Sequence, residues 1–256
     1  MPIRLATWNV NSIKARLPIV RDWVAETAPD VVVLQEIKTP EFPSFEFEAL
    51  GYACAFVGQK AYNGVAILSR LPMDVTDTAL PGGDGDEHAR FISADIAGLH
   101  VIDIYLPNGN PVDTDKFTYK LAWFDRLTAH LAALMETEKP FVIGGDFNVI
   151  PEDIDCWDPK AWEGDALFRP ESRGRYRALI NMGLTDALRA VDPKPHLYTF
   201  WDYQAGRWQR DQGIRIDHWL LSPEIADRLE ACAVDRKPRG LEKASDHTPV
   251  VLTIRD

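Results

Sequence analysis

Strand-length apolar runs recur along this chain, and five of them carry an Asn, Glu, Asp or His at or near one end. "ATWNVN" delivers Asn9, "VVVLQEIK" delivers Glu36 and Lys38, and "FVIGGDFN" delivers Asp146 and Asn148. "GIRIDHWLL" sets Asp217 inside an otherwise apolar run, and "ASDHTPVVLTI" is entered through Asp246 and His247. A strand covered on both faces reads as a continuous apolar run. A carboxylate among such residues costs several kcal/mol unless it is paired or hydrogen-bonded. A fold that tolerates these runs must therefore gather their polar ends, and in α/β folds the strand ends are where loops and ligand sites converge.

The order of the runs predicts the architecture. "IRLATWNV" reads as a strand, and residues 11–30 as a helix with Ile13, Leu17, Val20 and Val24 at helical spacing. "VVVLQEI", "YACAFVG", "NGVAILSR", "RFISADIAG" and "LHVIDIYLP" read as strands, followed by a long amphipathic helix over 116–138. The second half repeats the pattern. "PFVIGGDFN" is a strand, 151–171 is irregular, "SRGRYRALINMGLTDALRA" is helical with a break at Gly183, and "HLYTFWDY", "GIRIDHWLLS", "LEACAVD" and "PVVLTI" are strands. The fold expected is α/β: a four-layered α/β sandwich of two packed, mostly antiparallel mixed sheets flanked by helices. Two separate α/β domains are the alternative, but no low-complexity linker divides the chain, so residues 1–256 are read as one domain.

Composition narrows the class. The 256 residues are 46% hydrophobic and 26% charged, ordinary globular usage. Three scattered cysteines, Cys54, Cys156 and Cys232, argue against a disulfide framework or a zinc site. "MPIRLATWNV" has no signal-peptide pattern, and no stretch nears the ~20 apolar residues that span a bilayer. A cytoplasmic protein without a membrane partner is expected. The net charge of −11 weighs against nucleic acid as a partner, although a carboxylate site built around a divalent cation also adds formal negative charge.

Each polar strand end has an ordinary reading as a turn or a solvated end, but all of them together need five coincidences. Asn9, Glu36 and Asp246 are hard oxygen donors of the kind that Mg2+ or Mn2+ prefers. Asp146 and Asn148 extend that set and can hold an attacking water. Asp217 can hold and charge His247 toward an anionic substrate. The set suits metal-assisted hydrolysis of a phosphate ester, where positioning and charge stabilisation carry the catalysis.

Taken in order, "TWNVNSIKAR", "LQEIK", "NGVAILSR", "YLPNG", "GGDFNVIPEDIDCWDPKAWEGD", "YTFWDYQAGRWQRDQGIRIDHWLLS" and "SDHTPV" closely resemble the exonuclease III family of apurinic/apyrimidinic (AP) endonucleases, from Leu5 to Leu252. The resemblance implies cleavage of duplex DNA 5′ to abasic sites, with 3′→5′ exonuclease and 3′-end-cleaning activity, by a monomeric Mg2+ enzyme. It implies Glu36 as the main metal ligand with Asn9 and Asp246 assisting, and Tyr105 and Asn108 on the phosphate. It further implies Asp146 and Asn148 on the water, Asp217 and His247 as an orienting pair, and Phe200, Ile214 and Ile216 lining an apolar pocket for the base-free sugar. Asp146, Tyr105 and His247 all remain open as the general base. Some relatives carry an aromatic residue at the place of Ile214, and some carry Asp at the place of Asn11. Lys14, Arg16, Arg70, Lys116, Lys120, Arg173, Arg175, Arg177, Arg207 and Arg210 match segments expected to face DNA. Competing readings are a small-molecule or lipid phosphodiesterase of the wider superfamily, and a binding module that has lost catalysis.

Overall fold

The computed structural model describes residues 2–255. β1 (Ile3–Asn9) leads through α1 (Ile13–Thr27) to β2 (Val31–Gln35). α2 (Ser44–Glu48) precedes β3 (Ala53–Val57), β4 (Val65–Ser69), β5 (Met73–Asp77), β6 (Phe91–Ile96) and β7 (Leu99–Tyr105). α3 (Asp115–Met135) then connects to β8 (Phe141–Asp146). The rest is α4 (Pro159–Trp162), α5 (Pro170–Asn181), β9 (Thr185–Asp186), α6 (Ala187–Val191), β10 (Asp217–Leu221), α7 (Pro223–Ala226), β11 (Leu229–Val234) and β12 (Val250–Ile254).

Among the described residues the strands form two six-stranded sheets, ordered β11-β12-β1-β2-β4-β3 and β5-β6-β7-β8-β10-β9. Each holds one parallel pair, β1 with β2 and β7 with β8, and is otherwise antiparallel. The parallel pairs exist because α1 and α3 carry the chain back across the outer face of each sheet.

Strand alternation divides the apolar residues into layers. Val31 and Val33 of β2 face inward with Val101 of β7, Val142 of β8 and Trp219 of β10, which fills the space between the sheets. Val32 and Leu34 face outward against Trp23 and Val24 of α1. Ile102 and Ile104 of β7 face outward against Trp123, Phe124 and Leu127 of α3. The result is the expected helix–sheet–sheet–helix stack. It also explains why β2 and β4 are apolar up to their last residues, Gln35 and Ser69, and buried throughout: both faces are covered.

Some local expectations fail. "HLYTFWDY" is not a strand: only Phe200 makes isolated bridges, to Ile214 and His247, while Tyr198 and Trp201 are buried under loops and Tyr203 is exposed. Asp217 begins β10 and does not lie inside it. The helix expected around Gly183 is two helices, α5 and α6, separated by β9. The stretch 151–171 contains α4, whose Asp158 N-cap accepts from the Lys160 N–H. α2 and β5 are additional elements; β5 is a largely exposed edge strand with little apolar signal.

Candidate active site

The parallel pairs point their ends the same way, and the residues that follow them meet at one rim. Asn9 ends β1, Glu36 follows β2, Tyr105 ends β7 and Asp146 ends β8. Register pairs Asp146 with both Tyr105 and Asp217, so those three lie abreast across the second sheet. Ser245 Oγ donates to the Asn9 carbonyl, which ties the loop bearing Asp246 and His247 to the end of β1.

Asn9 joins the two sheets. Its amide nitrogen donates to Glu36 Oε1 at 2.8 Å and to Asp146 Oδ2 at 2.9 Å, while its oxygen accepts from the Asn11 N–H. Lys38 lies 2.7 Å from the other Glu36 oxygen and also donates to Asn11 Oδ1 at 2.6 Å. Burial pushes the Glu36 carboxyl up, but the Lys38 ammonium and the Asn9 amide outweigh it and hold the group below the usual carboxylate range. Glu36 and Asn148 both take left-handed backbone, with φ of 52° and 47°. Such conformations cost about 1 kcal/mol or more each and persist where their surroundings impose them.

On the other side, the Asp146 oxygens accept from the Asn148 N–H and from Asn9. The Asn148 side chain is fixed at both ends: it donates to the Leu106 carbonyl at 2.9 Å and accepts from Asn108 at 3.0 Å. Burial drives the Asp146 carboxyl upward, opposed by His247 and reinforced by Asp217 and Glu36. Asp217 holds His247 Nδ1 at 2.9 and 3.1 Å, and Nε2 faces Asp146 Oδ2 at 3.9 Å. Burial pulls the imidazole down, and the Asp217 carboxylate more than reverses it, so the ring is held protonated. Tyr105 is raised well above its ordinary range by burial and by Glu36 and Asp146 beside it, which keeps its hydroxyl protonated. Arg90 lies over its ring at 4.6 Å and donates to its carbonyl.

Glu36, Asp146 and His247 offer ligand atoms within 4.8 Å of one another. Two carboxylates that compete for one amide, Asn9, suit a hard cation as a further partner. Asp246 is outside that group, with Oδ1 accepting from the Asn11 amide at 3.0 Å.

Phe200 packs edge-on against His247, with ring centroids 4.9 Å apart, and lines with Ile214 a cavity of about 250 Å3. Trp157, Trp162, Arg207 and Gln212 complete much of its wall. Ile216 is not on that wall; it packs beneath with Ile214, Ile150 and Cys156.

The basic residues divide. Lys116 and Arg90 line a groove of about 500 Å3 beside Asn108, and Lys14 is exposed at the start of α1. Arg16 donates to the Asn11 carbonyl and the Tyr203 hydroxyl. Arg207 lies over Trp157, and Arg210 is exposed. Arg70 lies at the other end of the sheet, bonded to the Asp30 and Ala28 carbonyls. Arg173 and Arg177 pair with Glu152, Arg173 also with Asp153, and Arg175 with Asp125. Lys120 is fully buried. These last four are therefore not free cations for a polyanion. The Lys38 ion pair and the Arg90 stack carry no signal in the sequence, because they depend on which loops meet.

Residues 6–247 match the Endonuclease/Exonuclease/phosphatase family. The chain is 32% identical to exodeoxyribonuclease III of Haemophilus influenzae, over 97% of this chain and 98% of that protein. Its fold is similar to a Neisseria 3′ phosphatase solved with a product DNA hairpin, with a TM-score of 0.96, 40% identity, and coverage of 99% of this chain and all of the other. It is also similar to an AP endonuclease from Archaeoglobus fulgidus, with a TM-score of 0.95, 39% identity and the same coverage.

Proposed function

Because the chain belongs to the Endonuclease/Exonuclease/phosphatase family, we propose that it is a metal-dependent DNA phosphodiesterase of base-excision repair. It cleaves duplex DNA 5′ to abasic sites and clears blocked 3′ ends, with 3′→5′ exonuclease activity. The convergence of Glu36, Asp146 and the charged His247 at the rim of both sheets carries this reading. Similarity to exodeoxyribonuclease III and to two solved relatives, a 3′ phosphatase and an AP endonuclease, selects DNA over a small-molecule ester. We read residues 1–256 as one domain, supported by the core that both sheets share, and expect it to act as a monomer. Its expected place is the cytoplasm; among the described residues no helix is long and apolar enough to cross a membrane.

Glu36, with Asp146 and the neighbouring Asn9, Asn148 and Asp246 as further oxygen donors, would hold Mg2+ or Mn2+. The bound ion supplies Lewis-acid polarisation of the phosphate and offsets charge that builds on it. His247, kept charged by Asp217, faces the phosphate as a fixed cation. The Tyr105 hydroxyl and the Asn108 amide donate to phosphate oxygens. With Tyr105 and His247 both protonated, Asp146 is the group left to take the proton of the water that Asn148 positions. Phe200 and Ile214 give the base-free sugar an apolar wall.

The decisive assay is a duplex oligonucleotide with one tetrahydrofuran abasic analogue, alongside a nicked duplex ending in a 3′-phosphate. Mg2+ is expected to give a single cut 5′ to the analogue and release of inorganic phosphate, and EDTA to stop both. Duplexes left intact with Mg2+ or Mn2+ would overturn the reading.

A further inference from the structure

Lys120 is a helix lysine with no exposure at all. Lysine stems often lie along apolar surface, but the ammonium normally reaches water. Here Nζ donates to three backbone carbonyls, those of Asn108 at 3.0 Å, Asn148 at 2.6 Å and Ala166 at 3.3 Å. An ammonium has three hydrogens and no acceptor, so its valence is filled without any carboxylate. A buried cation without an ion pair is a costly way to join loops if only packing were needed.

The three carbonyls come from three segments. Asn108 is in the loop after β7 and Asn148 in the loop after β8. Ala166 follows Asp165, which lines the cavity bounded by Phe200 and Ile214. The amides of the first two residues are bonded to each other. The stem of Lys120 is matched closely as well: a Cβ on Gly109, whose φ is +88°, would stand 2.6 Å from Lys120 Cδ. A side chain there would displace the ammonium from the Asn108 carbonyl.

We propose that Lys120 is a positioning residue, whose ammonium holds the backbones of Asn108, Asn148 and Ala166 in register so that both amides and the cavity wall keep their places. This rests on the assignment of Asn108 and Asn148 to the site. Lys120 touches no substrate; it acts through the carbonyls it binds, from behind the site, at the start of the helix that joins β7 to β8.

The test uses the full-length protein and the abasic duplex. Lys120→Met keeps the stem and removes the donors. Displacement of catalytic groups by about 1 Å costs roughly 10²-fold, so kcat is expected to fall by about that factor with KM nearly unchanged. In an Asn148→Ala background the same substitution is expected to cost much less, because residues that act as one unit are not additive. Lys120→Gln, which keeps two N–H donors, is expected to lose less than Lys120→Met. Full additivity with Asn148→Ala, or a loss confined to KM, would overturn the proposal. Should Lys120→Met fail to fold, as read by near-ultraviolet circular dichroism, Lys120→Gln gives a second readout: hydrogen exchange of the Asn148 side-chain amide, which bonds the Leu106 carbonyl, should be faster than in the wild type. Unchanged exchange there would overturn the proposal too. A wild-type protein that leaves the duplex intact would instead overturn the function, and the exchange measurement would still decide the role of Lys120.

Discussion

The units β1–α1–β2 and β7–α3–β8 each run a strand out to the site, return through a helix and run a second strand out in parallel, and each delivers an acid there, Glu36 or Asp146. In the first unit a partly exposed lysine, Lys38, sits directly on the acid at 2.7 Å. In the second unit a fully buried lysine, Lys120, binds the loop carbonyls and leaves the acid to backbone and amide donors. The two units thus place their positive charge differently. The Lys38 ammonium is a partner that an incoming cation must share or displace, whereas Lys120 braces a loop and has nothing to exchange. Under the proposed function the first unit supplies the main metal ligand, and the second, beyond its further oxygen donors, holds groups still around the reacting phosphate.

That division is sharpest under mutation. Glu36→Gln removes the charge of the first unit while keeping its shape. A bound metal contributes several kcal/mol to such a reaction, so turnover on the abasic duplex should fall by ~10³-fold or more, and the Mg2+ midpoint should rise. Asn148→Ala strikes the second unit. Loss of one preorganised donor typically costs about 10²–10³-fold, here with a much smaller rise of the Mg2+ midpoint than Glu36→Gln gives. Mg2+ titrations of both variants check the pair. Equal shifts of the midpoint would mean that the units do not divide the work.

The second unit also leans on a buried ion network. Arg215 bonds Asp155 and Asp186, and its Nη1 meets His218 Nδ1 at 2.9 Å. Arginine only donates, so Nδ1 accepts and the proton sits on Nε2, which bonds the Val149 carbonyl just past Asn148. Burial and Arg215 pull the imidazole down to about 4. The sign follows. Below pH ~6.5 the unfolded chain takes up a proton on this histidine, while the folded protein refuses it until about pH 4. Stability should therefore decline as pH falls through that window, by roughly 3 kcal/mol in all at 1.36 kcal/mol per unit. Urea unfolding at pH 7 and pH 4.5 measures it. His218→Gln, which can still accept from Arg215, should flatten the decline; an equally steep variant would place the acid sensitivity elsewhere.

Between the units stands His247, whose proton is held by Asp217. Asp217→Asn keeps the shape but removes the charge, so the imidazole should titrate at lower pH. Wild-type activity should not depend on this group through neutral pH, whereas the variant should lose rate as pH rises through the lowered value. NMR titration of His247 in both proteins checks the cause. An unchanged titration would break the pairing, whatever the rate does.

These groups differ in how far the sequence exposes them. Glu36, Asp146, Asp217 and His247 could be read because a polar residue at the end of an apolar run conflicts with local packing, and the conflict is visible without neighbours. Even the two-sheet stack follows from strand runs interrupted by two long helices. Lys120 shows no such conflict. On an amphipathic helix it looks like any surface lysine, and only the approach of three distant loops buries it. Asp155 with Arg215 is invisible for the same reason, being a pair separated by 60 positions. "HLYTFWDY" misleads in the opposite direction, since aromatic residues that favour strands serve equally well to pack loops.

The smallest effect belongs to the exposed cations. Basic residues read from the sequence as one DNA-facing set divide in space, and most of those near α5 are consumed by acids. Arg175 is held by Asp125 at 2.7 and 2.9 Å, and such a surface pair is worth 1 kcal/mol or less. Lys116, at the start of α3, is exposed on the groove beside Asn108 and makes no ion pair among the described residues. If it meets a phosphate, Lys116→Ala should weaken abasic-duplex binding modestly and lower the slope of log affinity against log salt by about 0.9, the value of one phosphate neutralised. Arg175→Ala should leave that slope alone. Fluorescence anisotropy at several salt concentrations, with EDTA to prevent cleavage, separates the two. Equal slopes for both variants would mean that DNA does not run along this groove, and that the second unit meets its substrate only through Tyr105, Asn108 and Asn148.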